Sequence, residues 1–216
     1  MKKLNCLCLL LILLVDVVFS QTIDKYIPLT PTSKITIEQK DGTDYFYSGP
    51  WRIGKRTIEN SNYVARSYYV FNLSAIPDNA TITRVEVNYS MDGSSYTFKL
   101  TKLTSLSGDL QARWNAVGNA TSLHTGLTYG NSDFISTPIK NEIAGALISD
   151  QLIIGALSEA EGTSGSNSTL DFVLHVYYTI PAQSVNITVR NDLWVRWRER
   201  GRRDFSPVSC LQIQST

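Results

Sequence analysis

The stretch Tyr63–Asn72, which reads YVARSYYVFN, decides the fold class of this chain. Its alternate residues form two sets, with Val64, Arg66, Tyr68 and Val70 on one side and Ala65, Ser67, Tyr69 and Phe71 on the other. An alternation of period two predicts a β-strand, and apolar residues on both sides indicate a strand that is covered on both faces. The sequence therefore predicts a central strand of a packed β-structure here.

The same period continues on both sides of this strand. Further strands are expected over residues 34–38, 82–89, 96–101, 152–157 and 170–179. The Asp92-Gly93 pair between the second and third of these is a turn signal that predicts a β-hairpin. A short helix is expected from Thr137-Pro138 to near Ser149, because Pro suits the first helical turn and the apolar residues recur every four positions. The predicted fold is an all-β, jelly-roll-type β-sandwich with one short helix.

The first twenty residues have the pattern of a secretory signal peptide. Lys2 and Lys3 precede an apolar run of about 16 residues, and Ser20 supplies a small residue before the cleavage point. The run is shorter than the roughly 20 residues that span a bilayer, so no transmembrane segment is expected after cleavage. We expect a protein that is secreted, either extracellular or on the cell surface. Cleavage would leave Cys210 as the only cysteine, which excludes an internal disulfide.

Composition argues against an enzyme. The chain has 216 residues, of which 43% are hydrophobic and 18% charged, enough to bury the core of one domain, expected over residues 21–182. Only two histidines are present, His124 in a polar loop and His175 within a predicted strand, and neither lies next to an acid in the sequence. No motif supplies a nucleophile with its base, so a non-catalytic protein is expected.

The run Ala65–Ile82, ARSYYVFNLSAIPDNATI, followed by the strand Arg84–Tyr89, carries a resemblance. It is similar to secreted DNRLRE-type domains of bacterial (Bacteroidetes-type) surface proteins, which are jelly-roll domains like carbohydrate-binding modules. The resemblance extends over about Asp44 to Thr179. It implies a non-catalytic binding or structural module, with polysaccharide as the first ligand class. The alternative is a cell-surface adhesion or assembly subunit that recognises protein. Nucleic acid is not expected as a partner.

Aromatic side chains are the candidate ligand contacts, because exposed rings stack on the apolar faces of sugars. The segment Asp44–Trp51 is the densest in such residues, and others lie further along the chain. The candidates are Tyr45, Tyr47, Trp51, Trp114 and Tyr129. The alternative interpretation is that these rings pack within the sandwich, since aromatic residues are enriched in strands.

Two acids in one turn, Asp41 and Asp44, are the candidate metal ligands. Calcium prefers carboxylate oxygens, so a structural calcium ion is the hypothesis for this turn. The alternative is that both carboxylates are simply solvated. No other cofactor is expected.

Residues 183–216 differ in composition from the rest of the chain. A predicted strand over Val185–Arg190 leads into a segment, Arg190–Asp204, with six arginines and three acids, against a net charge of −3 for residues 21–189. Three interpretations stay open for this basic tail: a disordered extension, a surface for polyanions, or the product of a frameshift.

Overall fold

The structure is a computed structural model. It describes residues 23–49, 51–93, 96–163 and 167–181, and in addition the backbone of four strands near the C-terminus. The predicted signal peptide, residues 1–20, lies outside the described residues. None of the helices within these ranges is long and apolar enough to cross a membrane.

Eleven strands form the body of the protein. They are β1 (Ile23–Leu29), β2 (Ser33–Lys40), β3 (Asp44–Ser48), β4 (Arg52–Ile58), β5 (Ser61–Asn72), β6 (Thr81–Gly93), β7 (Phe98–Leu103), β8 (Ser122–Leu127), β9 (Gly130–Ile135), β10 (Gln151–Ser158) and β11 (Ser168–Ile180).

These strands form two hydrogen-bonded layers. Sheet B has the order β3–β2–β5–β10–β7–β8, and sheet A has β9–β6–β11 with β1 at the far edge of β11. Strand β4 joins the layers, because residues 52–53 pair with β11 and residues 54–58 pair with β5. All the pairings among β2 to β11 are antiparallel. The predicted all-β sandwich of jelly-roll type is confirmed.

The main core lies between the two sheets. Tyr69 and Phe71 from β5 meet Phe172 from β11, with ring centroids 4.5 and 5.4 Å apart. All three rings are buried, and the Tyr69 hydroxyl donates a hydrogen bond to the Leu170 carbonyl oxygen at 2.7 Å. Burial raises the pKa of Tyr69 far above its ordinary value. A hydroxyl that is neutral and hydrogen-bonded carries little penalty inside a core.

A second apolar cluster covers the other side of β5, beneath the helix α1 (Leu110–Asn119). Tyr68 and Ile37 of sheet B pack there with Val117 of the helix. The sequence prediction that β5 is covered on both faces is therefore confirmed, with α1 as the outer cover. This helix was not predicted, so the fold has two short helices where one was expected. It begins at Asp109, whose carboxylate accepts a hydrogen bond from the Ala112 amide at 2.8 Å.

The predicted helix is α2 (Thr137–Ala146), and it continues as a 3₁₀ turn over Leu147–Ser149. Its N-cap is Ser136, whose hydroxyl accepts a hydrogen bond from the Ile139 amide at 3.2 Å. The apolar spacing serves the core, because Ile139 and Ile143 are fully buried in the cluster between the sheets.

The predicted hairpin around Asp92-Gly93 is wrong. Strand β6 pairs with β11 and β9 in sheet A, whereas β7 pairs with β10 and β8 in sheet B. The chain thus passes from one sheet to the other between Gly93, the last residue of β6, and Phe98, the first residue of β7. Burial explains the crossing: Met91 and Phe98 both belong to the core between the sheets, one from each layer.

Four short strands lie in the basic tail. They are β12 (Ile187–Arg190), β13 (Trp194–Arg196), β14 (Phe205–Pro207) and β15 (Cys210–Ile213). Two antiparallel pairs form, one between β12 and β15 and the other between β13 and β14. They belong to a compact unit separate from residues 24–180. The three interpretations of the tail stay hypotheses.

Candidate functional site

The solvent side of sheet A carries a regular array of polar and aromatic side chains. In β11 every second residue is buried and those between are half-buried, and β6 alternates in the same way. Cross-strand pairing brings the outward residues into rows, such as His175 opposite Glu86 and Val173 opposite Asn88. We call this surface the outer face; it comprises Thr169, Asp171, Val173, His175 and Tyr177 of β11, Arg84, Glu86, Asn88, Ser90 and Asp92 of β6, and Asn131, Asp133 and Ile135 of β9.

Aromatic rings gather at one end of the outer face. Tyr26 of β1 lies beside the ring of Tyr177, with centroids 5.0 Å apart, and beside the imidazole of His175 at 5.6 Å. A hydrogen bond of 2.9 Å joins the Tyr26 hydroxyl to Nδ1 of His175. Tyr26 is 50% exposed, so a large part of its ring area is open to solvent.

Charged groups hold the Tyr177 ring in place. Its hydroxyl donates to Oε2 of Glu86 at 3.0 Å, and this hydrogen bond raises the pKa of the phenol. The guanidinium of Arg84 lies 5.3 Å from the centroid of the same ring and forms an ion pair with Glu86. The hydrogen bond at its hydroxyl and the guanidinium over its face therefore fix the orientation of the ring. A ring held in this way loses less conformational freedom when a ligand stacks on it.

A second aromatic group, Trp51, lies at the opposite end of the outer face. Its carbonyl oxygen accepts a hydrogen bond from the Leu170 amide, and its ring is 37% exposed. The ammonium of Lys34 lies 4.3 Å from the Trp51 ring centroid and donates to both carboxylate oxygens of Asp171 at 2.7 Å. A depression of about 190 Å³ opens between Trp51 and the outward residues Ser90, Asp92, Thr169 and Asp171.

The outer face has an acidic charge balance. Its four acids are Glu86, Asp92, Asp133 and Asp171, whereas Arg84 and the adjacent Lys34 are its cations, and each of the two cations is paired with one of these acids. Such a surface repels polyanions and accepts ligands that are neutral. Its hydroxyl, amide and carboxylate groups supply both donors and acceptors.

Of the aromatic residues predicted from the sequence, Trp51 lies beside the outer face. Tyr45, Tyr47 and Trp114 come together elsewhere, where α1 crosses sheet B. Tyr45 and Trp114 have ring centroids 5.8 Å apart, and the Tyr47 hydroxyl accepts a hydrogen bond from Arg113 at 3.1 Å. Tyr47 is 55% exposed, while Tyr45 and Trp114 are half-buried against the second apolar cluster.

The Trp114 ring is covered by another side chain. The guanidinium of Arg66 lies 3.4 Å from the ring centroid, donates to the Trp114 carbonyl oxygen at 2.9 Å, and forms two hydrogen bonds of 2.8 Å with the carboxylate of Glu161. This network ties α1 and the turn after β10 to β5. In this arrangement Trp114 packs within the fold and offers one of its faces to Arg66.

The remaining predicted residues lie apart from both groups. Tyr129 is 59% exposed in the connection between β8 and β9. Asp41 stands at a positive φ of 48° in the turn between β2 and β3, and its carboxylate accepts a hydrogen bond from the Asn62 amide at 2.8 Å. Among the described residues no group of three or more His, Cys, Asp or Glu side chains is arranged to hold a metal ion. A calcium ion bound by Asp41 and Asp44 stays a hypothesis.

Sequence reasoning missed Tyr26, His175 and Tyr177 as candidate ligand contacts. The alternation Asp171, Val173, His175, Tyr177 does place two of these three residues, His175 and Tyr177, on one side of a strand. What the sequence does not contain is the pairing of β1 and β6 with β11, which joins residues as far apart as Tyr26 and His175.

No family model matches the chain, and no curated protein matches it significantly.

Proposed function

We propose that this protein is a non-catalytic polysaccharide-binding module and that the outer face is its binding surface. The observation that carries the proposal is the placement of Trp51 at one end of the outer face and of Tyr26 with Tyr177 at the other. From Asp171 to Tyr177 the strand rises about 20 Å, the length of several sugar rings. The resemblance to DNRLRE-type domains supports the same ligand class.

The chemistry of the face favours a neutral polysaccharide. A sugar ring offers apolar C–H faces to aromatic rings and hydroxyl groups to neighbouring polar side chains. Between the two aromatic ends, Asn88, Ser90 and His175 are available at the surface for such hydroxyl groups. An acidic polymer would be repelled by the carboxylates of Asp92 and Asp133, which form no ion pair with another described residue.

Retention on insoluble neutral polysaccharides tests the proposal. The probes are cellulose, chitin, xylan, starch and mixed-linkage glucan, used with the chain that lacks residues 1–20. We expect retention on at least one of them. Trp51→Ala and Tyr177→Ala are each expected to weaken it about fivefold, since one stacking ring contributes on the order of 1 kcal/mol.

Tyr129→Ala and Tyr47→Ala are the matched controls, because both remove an exposed aromatic ring that does not belong to the outer face. They should leave retention unchanged. Absence of retention on every probe would overturn the proposal. Self-association or capture of a surface protein under the same conditions would then favour the adhesion or assembly subunit, for which the exposed Ile135 on β9 offers an apolar contact.

A further inference from the structure

A cleft at one end of sheet B is separate from the outer face. It opens between α2, the end of β7 and the start of β10, and it has a volume of about 450 Å³. This is within the size range of small-molecule sites, which extends from about 300 to about 1,000 Å³. None of its lining residues belongs to the outer face.

One side of α2 forms a wall of this cleft. Glu142, Gly145, Ala146 and Ser149 line it, at spacings of three, four and seven residues. These spacings place them along one side of the helix and its 3₁₀ continuation, and Ala146 also packs against the core that holds Ile139 and Ile143. Gly145 and Ala146 carry little or no side chain, which leaves the space open. An added Cβ at Gly145 would meet no atom within 4 Å.

An ion pair crosses from this wall to the sheet. Nζ of Lys102 and Oε2 of Glu142 are 2.6 Å apart, and the two side chains are 42% and 24% exposed. The pair neutralises itself, yet it leaves one carboxylate oxygen and the remaining ammonium protons for a ligand. Thr104 and Gln151 add polar groups to the lining, and Leu152 adds an apolar one.

The cleft thus combines donors, acceptors and apolar surface without net charge. A ligand with a net charge would meet the like charge of one member of the pair as well as the opposite charge of the other, and a purely apolar ligand would leave their remaining polar groups without partners. A small molecule with many hydroxyl groups and apolar C–H faces satisfies both requirements. We propose that this cleft is a second binding site of the protein and that it takes a neutral mono- or disaccharide.

Saturation-transfer NMR and calorimetric titration test this proposal with free sugars. The probes are glucose, galactose, mannose, xylose, N-acetylglucosamine, cellobiose and lactose, each titrated into the chain that lacks residues 1–20. We expect binding of at least one sugar. Gly145→Trp is expected to weaken binding at least about tenfold because the indole occupies the cleft.

Ala144→Trp is the matched control, because it adds the same indole at an exposed position of α2 that does not line the cleft. It should bind the sugar like the unchanged chain. Glu142→Gln keeps the size of the side chain but removes its charge, and it is expected to weaken binding several-fold. A thermal unfolding curve for each variant separates lost binding from lost folding.

Three results would overturn the proposal. They are the absence of binding by every sugar, binding that Gly145→Trp leaves unchanged, and binding of zwitterionic amino acids without any sugar. Trp51→Ala separates the two sites: it should weaken retention on a polysaccharide and leave sugar binding at the cleft unaffected. The proposal for the cleft can therefore be refuted while the outer face is shown to bind polysaccharide. Equally, the proposal for the outer face can be refuted while the cleft is shown to bind a sugar.

Discussion

Glu38 is a carboxylate in the interior of the sandwich. Its side chain is fully buried on β2, and Oε2 accepts a hydrogen bond from Arg56 at 2.8 Å. The other oxygen, Oε1, has no hydrogen-bond partner among the described residues. A buried ion pair contributes little net stability, but removal of one partner leaves the other charge without compensation.

We therefore expect Glu38→Ala to lower the free energy of unfolding by about 3 kcal/mol. Equilibrium unfolding in urea measures it. Asp133→Ala, which removes an exposed carboxylate, is the control and should change stability by less than about 0.5 kcal/mol. The double variant Glu38→Met with Arg56→Met should recover most of the loss. If Glu38→Ala were as stable as the unchanged chain, Glu38 would not be needed to compensate the charge of Arg56.

His124 makes stability depend on pH. Its ring packs against Phe134 with centroids 3.9 Å apart, and burial lowers its pKa below the ordinary 6.5. The unfolded chain therefore binds the proton more strongly than the folded chain does. The contribution of His124 is complete above about pH 6.5 and is lost as the pH falls below that value.

The variant His124→Phe keeps the ring contact but cannot titrate. We expect its melting temperature to fall less than that of the unchanged chain between about pH 7.5 and about pH 5. All other residues are the same in both chains, so the difference between the two pH profiles reports on His124 alone. Parallel pH profiles would show that the lowered pKa of His124 does not affect folding.

At the scale of elements, Gly118 fixes how α1 lies on sheet B. A Cβ at this position would lie 1.9 Å from Nη1 of Arg66. A flexible arginine could move away, but this guanidinium is held by Glu161 and by the Trp114 carbonyl oxygen. We expect Gly118→Ala to destabilise the protein, although Ala favours a helix by about 1 kcal/mol over Gly.

Thermal unfolding of four chains checks this expectation: the unchanged chain, Gly118→Ala, Arg66→Met, and the double variant. In the Arg66→Met background the same Gly118→Ala change should be neutral or stabilising, because the clashing group is gone. Gly145→Ala in α2 is a second comparison, since nothing lies near its Cβ. If Gly118→Ala stabilises the unchanged chain, Arg66 does not hold α1 as described.

Elements with a strong local pattern were predictable from the sequence. The alternation in Tyr63–Asn72 predicts β5 with cover on both faces, and Pro138 with the buried Ile139 and Ile143 predicts α2. The helix α1 was missed because Leu110, Trp114 and Val117 are separated by polar residues and small ones, so its apolar side is narrow. The Asp92-Gly93 pair indicated that the chain changes direction there. It did not indicate which strands would pair with β6 before it and with β7 after it.

The candidate site was predictable only in part, because the sequence does not show which strands pair. Trp51 was a candidate because tryptophan rings stack on sugars. The same reasoning also made Trp114 a candidate, although the guanidinium of Arg66 covers its ring. The distinction depends on which side of a sheet each strand presents to solvent. That in turn depends on pairing between residues such as Tyr26 and His175, which no local pattern contains.

At the scale of the whole molecule, the described core belongs to one part of the chain, and the net charge differs in sign between that part and the basic segment that follows it. The buried apolar residues of both clusters lie between Leu29 and Tyr178, within the compact unit of residues 24–180. The net charge of residues 21–189 is −3, whereas residues 190–204 carry +3. The sandwich thus has its own core and an acidic outer face, and the tail has a charge that suits different ligands.

A chain of residues 21–181 should therefore fold without the tail. Since all residues of the two described apolar clusters are retained, we expect its melting temperature to lie within about 3 °C of that of residues 21–216, which corresponds to about 1 kcal/mol for a domain of this size. Retention on the neutral polysaccharide bound by the longer chain should be unchanged, because every residue of the outer face is still present. Any affinity of the longer chain for an anionic polymer such as pectate should disappear, since the six arginines of Arg190–Asp204 have been removed. A shorter chain that fails to fold would mean that the tail contributes to the core, and it would exclude both a disordered extension and a frameshift product as interpretations of that segment.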